Sequence, residues 1–420
     1  MAALPNPLRV ALDATPLLGR RTGVGQFCAG VLPALSRQPD LEVSAFAMTW
    51  RGRHQLASVL PQGVAAVRRA MPARLLQELW ARWPLPSAEL CVGRADVVHG
   101  TNFVVPPSRR ATMVVSVHDL TPLRFPQWCR PAALAYPVLV QKAVQRGAWV
   151  HTDSAAIARE VVELLGVPEE RVRTVHLGVP AWDGPALGPA GPAGATPQRR
   201  ADNSPSGPGV RQAEATADEP AEDSGAGPGG SVPADLLPQW VRRYVLALGT
   251  VEPRKDLPSL VRAFGMLAGH HPGLALVVAG PDGWGSAQLA EALEACPARD
   301  QVVRLGWVSE EDRGRLMSAA TVFAYPSRYE GFGLPPLEAM AAGVPVVATR
   351  CAALEEVLGD AARLVEVGNA EALAGALDDL LGDVDSREEL AKRGRQRAER
   401  FTWEACAERL ADLYRDALSQ

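Results

Sequence analysis

The sequence predicts an α/β protein of two doubly wound, Rossmann-like domains facing each other across a cleft, with a disordered interdomain insertion. Three observations carry this. Short apolar and β-branched runs alternate with helix-length stretches in both halves of the chain. At 420 residues the chain exceeds the ~100–200 residues that one core usually organises. A stretch dominated by Ala, Gly and Pro divides the two patterned halves.

In the N-terminal half, Leu8-Arg9-Val10-Ala11-Leu12 and the runs at 41–47, 97–99 and 112–117 read as strands, with helices at 25–35, 132–145 and 155–165. The C-terminal half repeats the scheme, with strands at 244–248, 274–279, 302–305, 322–325 and 344–348. Its helices read at 257–267, 286–294, 310–318 and 335–342. Strands without polar alternation are covered on both faces, which argues for parallel sheets flanked by helices. Ligands of such sheets sit beyond the carboxyl ends of the strands, so the loops that follow them are where chemistry is expected. Residues 181–233 carry almost no large apolar side chain and cannot bury enough surface to offset their ordering entropy. The division is therefore an N-terminal domain over 1–180, a disordered linker over 181–238, a C-terminal domain over 239–400 and a terminal helix over 401–420.

Hydrophobic content of 47% and charged content of 21% fit a soluble globular protein. No run reaches the ~18–20 apolar residues of a membrane span, and the first residues lack the basic and apolar regions of a signal peptide. The six cysteines form no CxxC pair and no zinc spacing, so a cytoplasmic location is the default expectation. Charge is uneven: residues 1–180 hold 20 Lys/Arg against 12 Asp/Glu, residues 239–420 hold 20 against 27. Different partners for the two halves would explain this, as would chance. Residues 65–83 mix Arg68, Arg69, Arg74 and Arg82 with Leu75, Leu76, Leu79, Trp80 and Trp83. That pattern fits peripheral contact with an anionic membrane or an ordinary packed helix with a solvated basic face. No nucleic-acid motif is present.

The densest chemistry is the string Glu330-Gly331-Phe332-Gly333-Leu334-Pro335-Pro336-Leu337-Glu338, which follows the strand at 322–325 and opens a helix near Pro335. Gly331 and Gly333 let the backbone approach a ligand, and the amides there, with the positive helix end, suit a phosphate or sugar hydroxyls. Glu330 in the loop and Glu338 one turn into the helix turn two carboxylates toward one pocket. Helix-start electrostatics alone would account for Glu338, but not for the whole string. Arg254-Lys255, just past the strand at 244–248, can neutralise a diphosphate as charge builds on a leaving group. A solvated pair is the common alternative, yet two cations at a helix start oppose the helix dipole. His118-Asp119 follows the strand at 112–117 and so faces the cleft, although a His–Asp pair is often only a structural hydrogen bond. Thr22-Gly23-Val24-Gly25 is separated from the first strand by residues 13–21, and Cys28 stands where a dinucleotide fingerprint needs its third glycine, which disfavours a nicotinamide-dependent oxidoreductase. Asp13 at the first strand end fits a cleft role or a turn. Thr152-Asp153-Ser154 reads as the N-cap of the helix at 155–165.

Glu330 and Glu338, with seven residues between them, resemble the glutamate pair of the retaining glycosyltransferases of family 4, which have the GT-B fold. The resemblance covers both halves. Leu248-Gly249-Thr250-Val251-Glu252-Pro253-Arg254-Lys255 is similar to the family's diphosphate loop, and Ala279-Gly280-Pro281 and Leu305-Gly306-Trp307-Val308 to two nucleotide-side strand ends. Ala339-Met340-Ala341-Ala342-Gly343-Val344-Pro345-Val346-Val347-Ala348 continues the match. Phe401-Thr402-Trp403-Glu404 resembles the start of a final helix that crosses back onto the first domain.

By this resemblance Arg254 and Lys255 hold the donor diphosphate, Glu338 the ribose, and Glu330 with the amides of Gly331, Phe332, Gly333 and Leu334 the donor sugar. Gly249, Gly280 and Val308 fall on the nucleotide side, and the Gly23–Gly25 loop approaches the donor phosphate from the other domain. His118 lines the reacting face, with Asp119 orienting it, so that His118 and Glu330 are the catalytic candidates. The segment from His118 to Pro126 resembles the subgroup that uses GDP-mannose or GDP-rhamnose-type donors. The implied reaction is hexosyl transfer, mannosyl or rhamnosyl, to a glycan or lipid-linked acceptor, with an α-linked product. No metal and no cofactor beyond the nucleotide-sugar substrate are implied. A glycosyl phosphorylase or nucleotide-sugar epimerase of the same fold is the rival reading; neither is known for this glutamate spacing together with Arg254-Lys255. A non-catalytic sugar-binding protein would be expected to have lost one of these groups.

Overall fold

The computed structural model describes residues 7–19, 21–179 and 231–419. The N-terminal domain holds a seven-stranded sheet in the order β3-β2-β1-β4-β5-β6-β7. Its strands are β1 Leu8–Asp13, β2 Leu41–Phe46, β3 Ala65–Val67, β4 Val97–Gly100, β5 Thr112–Val117, β6 Trp149–Thr152 and β7 Val172–Thr174. The C-terminal domain holds a six-stranded sheet in the order β10-β9-β8-β11-β12-β13. These are β8 Arg243–Leu248, β9 Leu274–Ala279, β10 Val302–Gly306, β11 Val322–Tyr325, β12 Val346–Thr349 and β13 Arg363–Val365. Among the described residues every strand pairing is parallel.

The apolar runs explain the burial. Val10 faces Val43 on one side and Val97 on the other, and all three are buried. Strand order reverses between β1 and β4 in one sheet and between β8 and β11 in the other. Each reversal splays the loops apart at the carboxyl edge, leaving a crevice there. The two crevices face one another.

Some elements depart from the sequence reading. The edge strands β3, β7 and β13 are three residues long, too short for a periodic signal. In β6, His151 and Thr152 are buried polar residues that interrupt an apolar pattern. The helix expected from residue 132 begins as a 3-10 turn over Pro131–Ala135 and becomes α-helical at Tyr136–Gln145. β12 starts at Val346, since Pro345 before it has no N–H to give a ladder. In the basic segment, Ala73–Arg82 is a helix whose Trp80 is buried and donates its indole N–H to the Pro86 carbonyl at 3.0 Å. Trp80 is therefore a core residue rather than a surface anchor, whereas Trp83 and Leu75 are exposed.

The proposed linker falls largely on residues 180–230, outside the described residues. Its last stretch, 231–238, is described and packs on the core: Leu237 is buried and Val232 and Leu236 lie against it. The terminal helix Trp403–Ser419 returns to the N-terminal domain. Trp403 lies on Gly30 so closely that a Cβ there would fall 2.0 Å from the indole, and Arg415 pairs with Asp40.

Candidate functional site

Between the domains, at the carboxyl ends of β1, β5, β8, β9 and β11, lies a cleft of about 460 Å³. His118, Asp119 and Gly23 line it from one side. Gly249, Arg254, Lys255, Gly280, Val308, Glu330, Gly331, Phe332, Gly333, Leu334 and Glu338 line it from the other. Gly25 does not reach the cleft. It is buried in the helix Gly23–Ser36, where a Cβ would meet the Pro16 carbonyl at 2.9 Å.

Arg254 and Lys255 sit in a 3-10 turn, Pro253–Lys255, that follows β8. Asp256 ends that turn in the left-handed region at φ 46°, held by Arg328 at 2.9 Å, so the chain reverses before the helix Leu257–Leu267 and Lys255 turns inward. Glu330 accepts from Lys255 Nζ at 2.6 Å and pairs with Arg254 Nη1 at 2.8 Å. Glu252 takes Arg254 Nε at 2.8 Å, and Lys255 also donates to the Tyr325 hydroxyl. Burial and the neighbouring Arg254 charge lower the Lys255 pKa, although Glu330 opposes this. Burial would raise the Glu330 pKa, but Arg254 and Lys255 overcome it and hold the carboxyl at about 2. Two desolvated cations share one carboxylate and its neighbour. The two cations are thus matched by two carboxylates, Glu252 and Glu330.

Glu338 lies in the helix Leu334–Ala341 and is paired with Arg313, a partner the sequence reading did not name. Burial raises its pKa in spite of Arg313. Beside it, Gln26 of the N-terminal domain donates to Glu310 at 3.0 Å, bridging the cleft at one rim. Arg130 of the N-terminal domain also meets the C-terminal domain, lying over the Trp284 ring at 5.2 Å.

The glycine string has two distinct tasks. Gly333 caps the helix at φ 99°, a conformation that favours glycine. Gly331 is required for a different reason: a Cβ there would fall 1.6 Å from the His118 carbonyl oxygen. The two domains meet backbone to backbone at this point. Ser154 strengthens the contact by donating to the Gly331 carbonyl at 2.7 Å, and its hydroxyl also accepts from Ile157 N at 3.3 Å. The expected N-cap at Ser154 is therefore present and spans the domains as well.

His118 is oriented differently from the sequence expectation. Its Nδ1 lies 2.7 Å from Asp153 Oδ2 and its Nε2 2.7 Å from the Thr101 carbonyl. Asp119 instead accepts the Thr121 N–H at 2.9 Å, forming a local turn. Adjacency in sequence put Asp119 next to His118, but successive residues at a strand end point to opposite sides. The neighbouring strand β6 brings Asp153 in. Burial lowers the His118 pKa, but the Asp153 charge and hydrogen bond outweigh this and raise it. Asp13 serves a turn: its carboxylate accepts from Thr15 N at 2.9 Å and Thr15 Oγ1 at 2.5 Å. Among the described residues no group of three His, Cys, Asp or Glu side chains is arranged to hold a metal ion. Nor, among them, is any helix long and apolar enough to cross a membrane.

Comparison with known proteins agrees with this architecture. The Glycosyltransferase Family 4 model matches residues 21–181, and the Glycosyl transferases group 1 model matches residues 238–397. The chain is 36% identical over 194 residues to the O-antigen chain mannosyltransferase B of Escherichia coli, which is 44% of this chain and 50% of that protein. It is 39% identical over 117 residues to the MMP alpha-(1->4)-mannosyltransferase of Mycolicibacterium hassiacum, 27% of this chain and 28% of that protein. The chain thus spans half or less of the length of these relatives. Anabaena HepE, solved in complex with UDP and glucose, has the same fold: TM-score 0.65 over 97% of this chain and 100% of that one, at 15% identity. With one family model on each domain and the GT-B arrangement of two parallel sheets about a cleft, the chain belongs to the family 4 glycosyltransferases.

Proposed function

We propose that the chain transfers a hexosyl unit, mannosyl or rhamnosyl, from a nucleotide diphosphate sugar to a glycan or lipid-linked acceptor, with retention and an α-linked product. The observation that carries this is the buried Arg254–Lys255–Glu330 cluster in the interdomain cleft. A donor diphosphate entering there supplies the anion that Arg254 and Lys255 take up, and Glu330 is released to accept hydrogen bonds from sugar hydroxyls. As the bond to the sugar breaks, charge grows on the leaving phosphate, where two preorganised cations stabilise it. In this reading Arg254 and Lys255 supply the charge a metal would otherwise bring, and no further cofactor is called for. Glu338, exchanging Arg313 for a diol, holds the ribose. Gly249, Gly280 and Val308 flank the base.

The donor sugar and base rest on likeness. Two similar proteins are mannosyltransferases, and the segment from His118 to Pro126 resembles users of GDP-sugars, whereas the HepE structure holds UDP and glucose. Calorimetric titration with GDP-mannose, UDP-glucose and dTDP-rhamnose tests this. Binding of the GDP-sugar in preference to the others is expected; heat from none of the three would refute the donor-site reading.

The same proposal places the protein in the cytoplasm, peripheral at the inner membrane face. Arg68, Arg69, Arg74 and Arg82 are exposed beside exposed Leu75 and Trp83. Each basic residue near anionic lipid contributes ~1 kcal/mol. Co-sedimentation with anionic but not neutral vesicles is expected, and is lost when the four arginines become Gln. A protein that stays in the supernatant at low salt with both lipids has a soluble acceptor instead.

A further inference from the structure

Four polar side chains lie in a row across the N-terminal sheet: Tyr414 from the terminal helix, His99 on β4, Ser116 on β5 and His151 on β6. All are fully buried. Tyr414 Oη lies 2.7 Å from His99 Nδ1, and His99 Nε2 lies 2.8 Å from Ser116 Oγ. Ser116 Oγ lies 2.8 Å from His151 Nδ1, and His151 Nε2 lies 3.2 Å from the Val175 carbonyl. The proton positions follow from that last group. A carbonyl only accepts, so His151 carries a proton on Nε2 and, as a neutral ring, accepts at Nδ1. Ser116 must donate to it and therefore accepts from His99 Nε2–H. His99 Nδ1 is left to accept from the Tyr414 hydroxyl. Burial lowers the pKa of both histidines, in keeping with neutral rings. The row runs one way, with Tyr414 as its terminal donor.

Its other end touches the cleft. His151 Nε2 lies 3.8 Å from Asp153 Oδ1, an oxygen with no hydrogen bond among the described residues, while Asp153 Oδ2 holds His118. Both neighbours of the His118 ring nitrogens, the Asp153 carboxylate and the Thr101 carbonyl, are acceptors, so the ring carries both protons as an imidazolium. Removal of the Tyr414 or Ser116 hydroxyl leaves a buried ring nitrogen without its donor, which is costly, so the row must shift to relieve it. A shift that reaches His151 moves the group beside Asp153 Oδ1 and with it the carboxylate that orients His118.

We propose that Tyr414, with His99, Ser116 and His151, is a positioning residue for His118, acting through the orientation of Asp153. This makes the terminal helix, which lies outside both sheets, part of the catalytic apparatus. The proposal rests on the reading of the cleft as a sugar-transfer site, but one arm of its test does not.

That arm is NMR of the full chain labelled with ¹⁵N-histidine, with signals assigned by single substitution. In the wild type, His118 is expected to show two protonated ring nitrogens, and His99 and His151 one each, at Nε2. In Tyr414→Phe, which deletes one oxygen and no packing volume, the His118 N–H signals are expected to shift. Transfer kcat is expected to fall about tenfold or more, within the ~10²-fold that a 1 Å misplacement can cost, with donor KM unchanged. Ser116→Ala cuts the row in mid-sheet and is expected to do the same. Unchanged His118 signals in the two folded variants overturn the proposal, whether or not kcat falls. So does a wild-type spectrum lacking a proton on either His118 nitrogen. If the signals move as expected but the wild type transfers sugar from no donor, the positioning stands and the reading of the cleft falls.

Discussion

Glu330, in the loop after β11, holds Lys255, in the turn after β8, at 2.6 Å, and both side chains are buried. The group proposed to bind the sugar is thus paired with a group proposed to bind the phosphate. On the proposed reading, donor binding exchanges partners within this charged cluster and does not fill a preformed cationic hole. This lowers the cost of keeping Arg254 and Lys255 desolvated between turnovers, since an unpaired buried charge is strongly destabilising.

Lys255→Ala is expected to reduce turnover by about 10²–10³, equivalent to ~2.7–4 kcal/mol of transition-state stabilisation, with the fold retained. Glu330 keeps Arg254 as a partner in this variant, so no buried carboxylate is orphaned. Steady-state kinetics with the preferred donor, alongside circular dichroism, provides the check. Near-wild-type turnover would remove Lys255 from the leaving-group site.

Stability in acid should report the same cluster. Burial disfavours the Glu330 anion, but Arg254 and Lys255 draw its carboxyl from an ordinary 4.5 to about 2. A depressed value in the folded state means stabilisation is fully present above the unfolded value and is lost as pH falls through the folded one. The Tm gap between wild type and Glu330→Gln is thus expected to be widest above pH 4.5 and to close toward pH 2. A gap that is constant with pH would show that Glu330 is not ionically paired.

Gly331→Ala is expected to impair donor turnover more than it impairs folding of either domain. Its new Cβ collides with the His118 carbonyl oxygen from the opposite domain, and backbone cannot yield as a flexible side chain does. The domains must then part at the cleft wall. Small-angle scattering should show a more open particle; a wild-type profile with wild-type kinetics would contradict the contact.

Glu356 ties the domains from the other side. Its carboxylate accepts the first two N–H groups of the helix Ala155–Leu165, Ala155 at 2.8 Å and Ala156 at 2.9 Å, and takes His176 at 2.8 Å. Unsatisfied helix-start donors are costly, so Glu356→Ala is expected to lose about 1–3 kcal/mol in urea unfolding. If the two domains then unfold in separate transitions, this carboxylate is part of what couples them. A loss below about 0.5 kcal/mol would mean solvent replaces it freely.

The sequence by itself determined the two parallel-sheet domains, because strands buried on both faces are largely apolar and that leaves a one-dimensional trace; the trace fails in β6, where His151 and Thr152 are buried. It also determined the Glu330–Glu338 string and Arg254-Lys255, whose residues are close neighbours along the chain in the loops and helix start that follow strand ends. The tertiary structure alone decided which groups face one another across those loops. Asp153, not the adjacent Asp119, orients His118, because parallel neighbours in a sheet come from distant segments while a sequence neighbour points away. Gly331 is a glycine because another domain's backbone abuts it, Arg313 meets Glu338 from a separate helix, and Tyr414 reaches His99 from the terminal helix. Hydrogen bonds and ion pairs are set by distances of a few ångströms between residues tens to hundreds of positions apart, and no local pattern along the chain encodes such a distance.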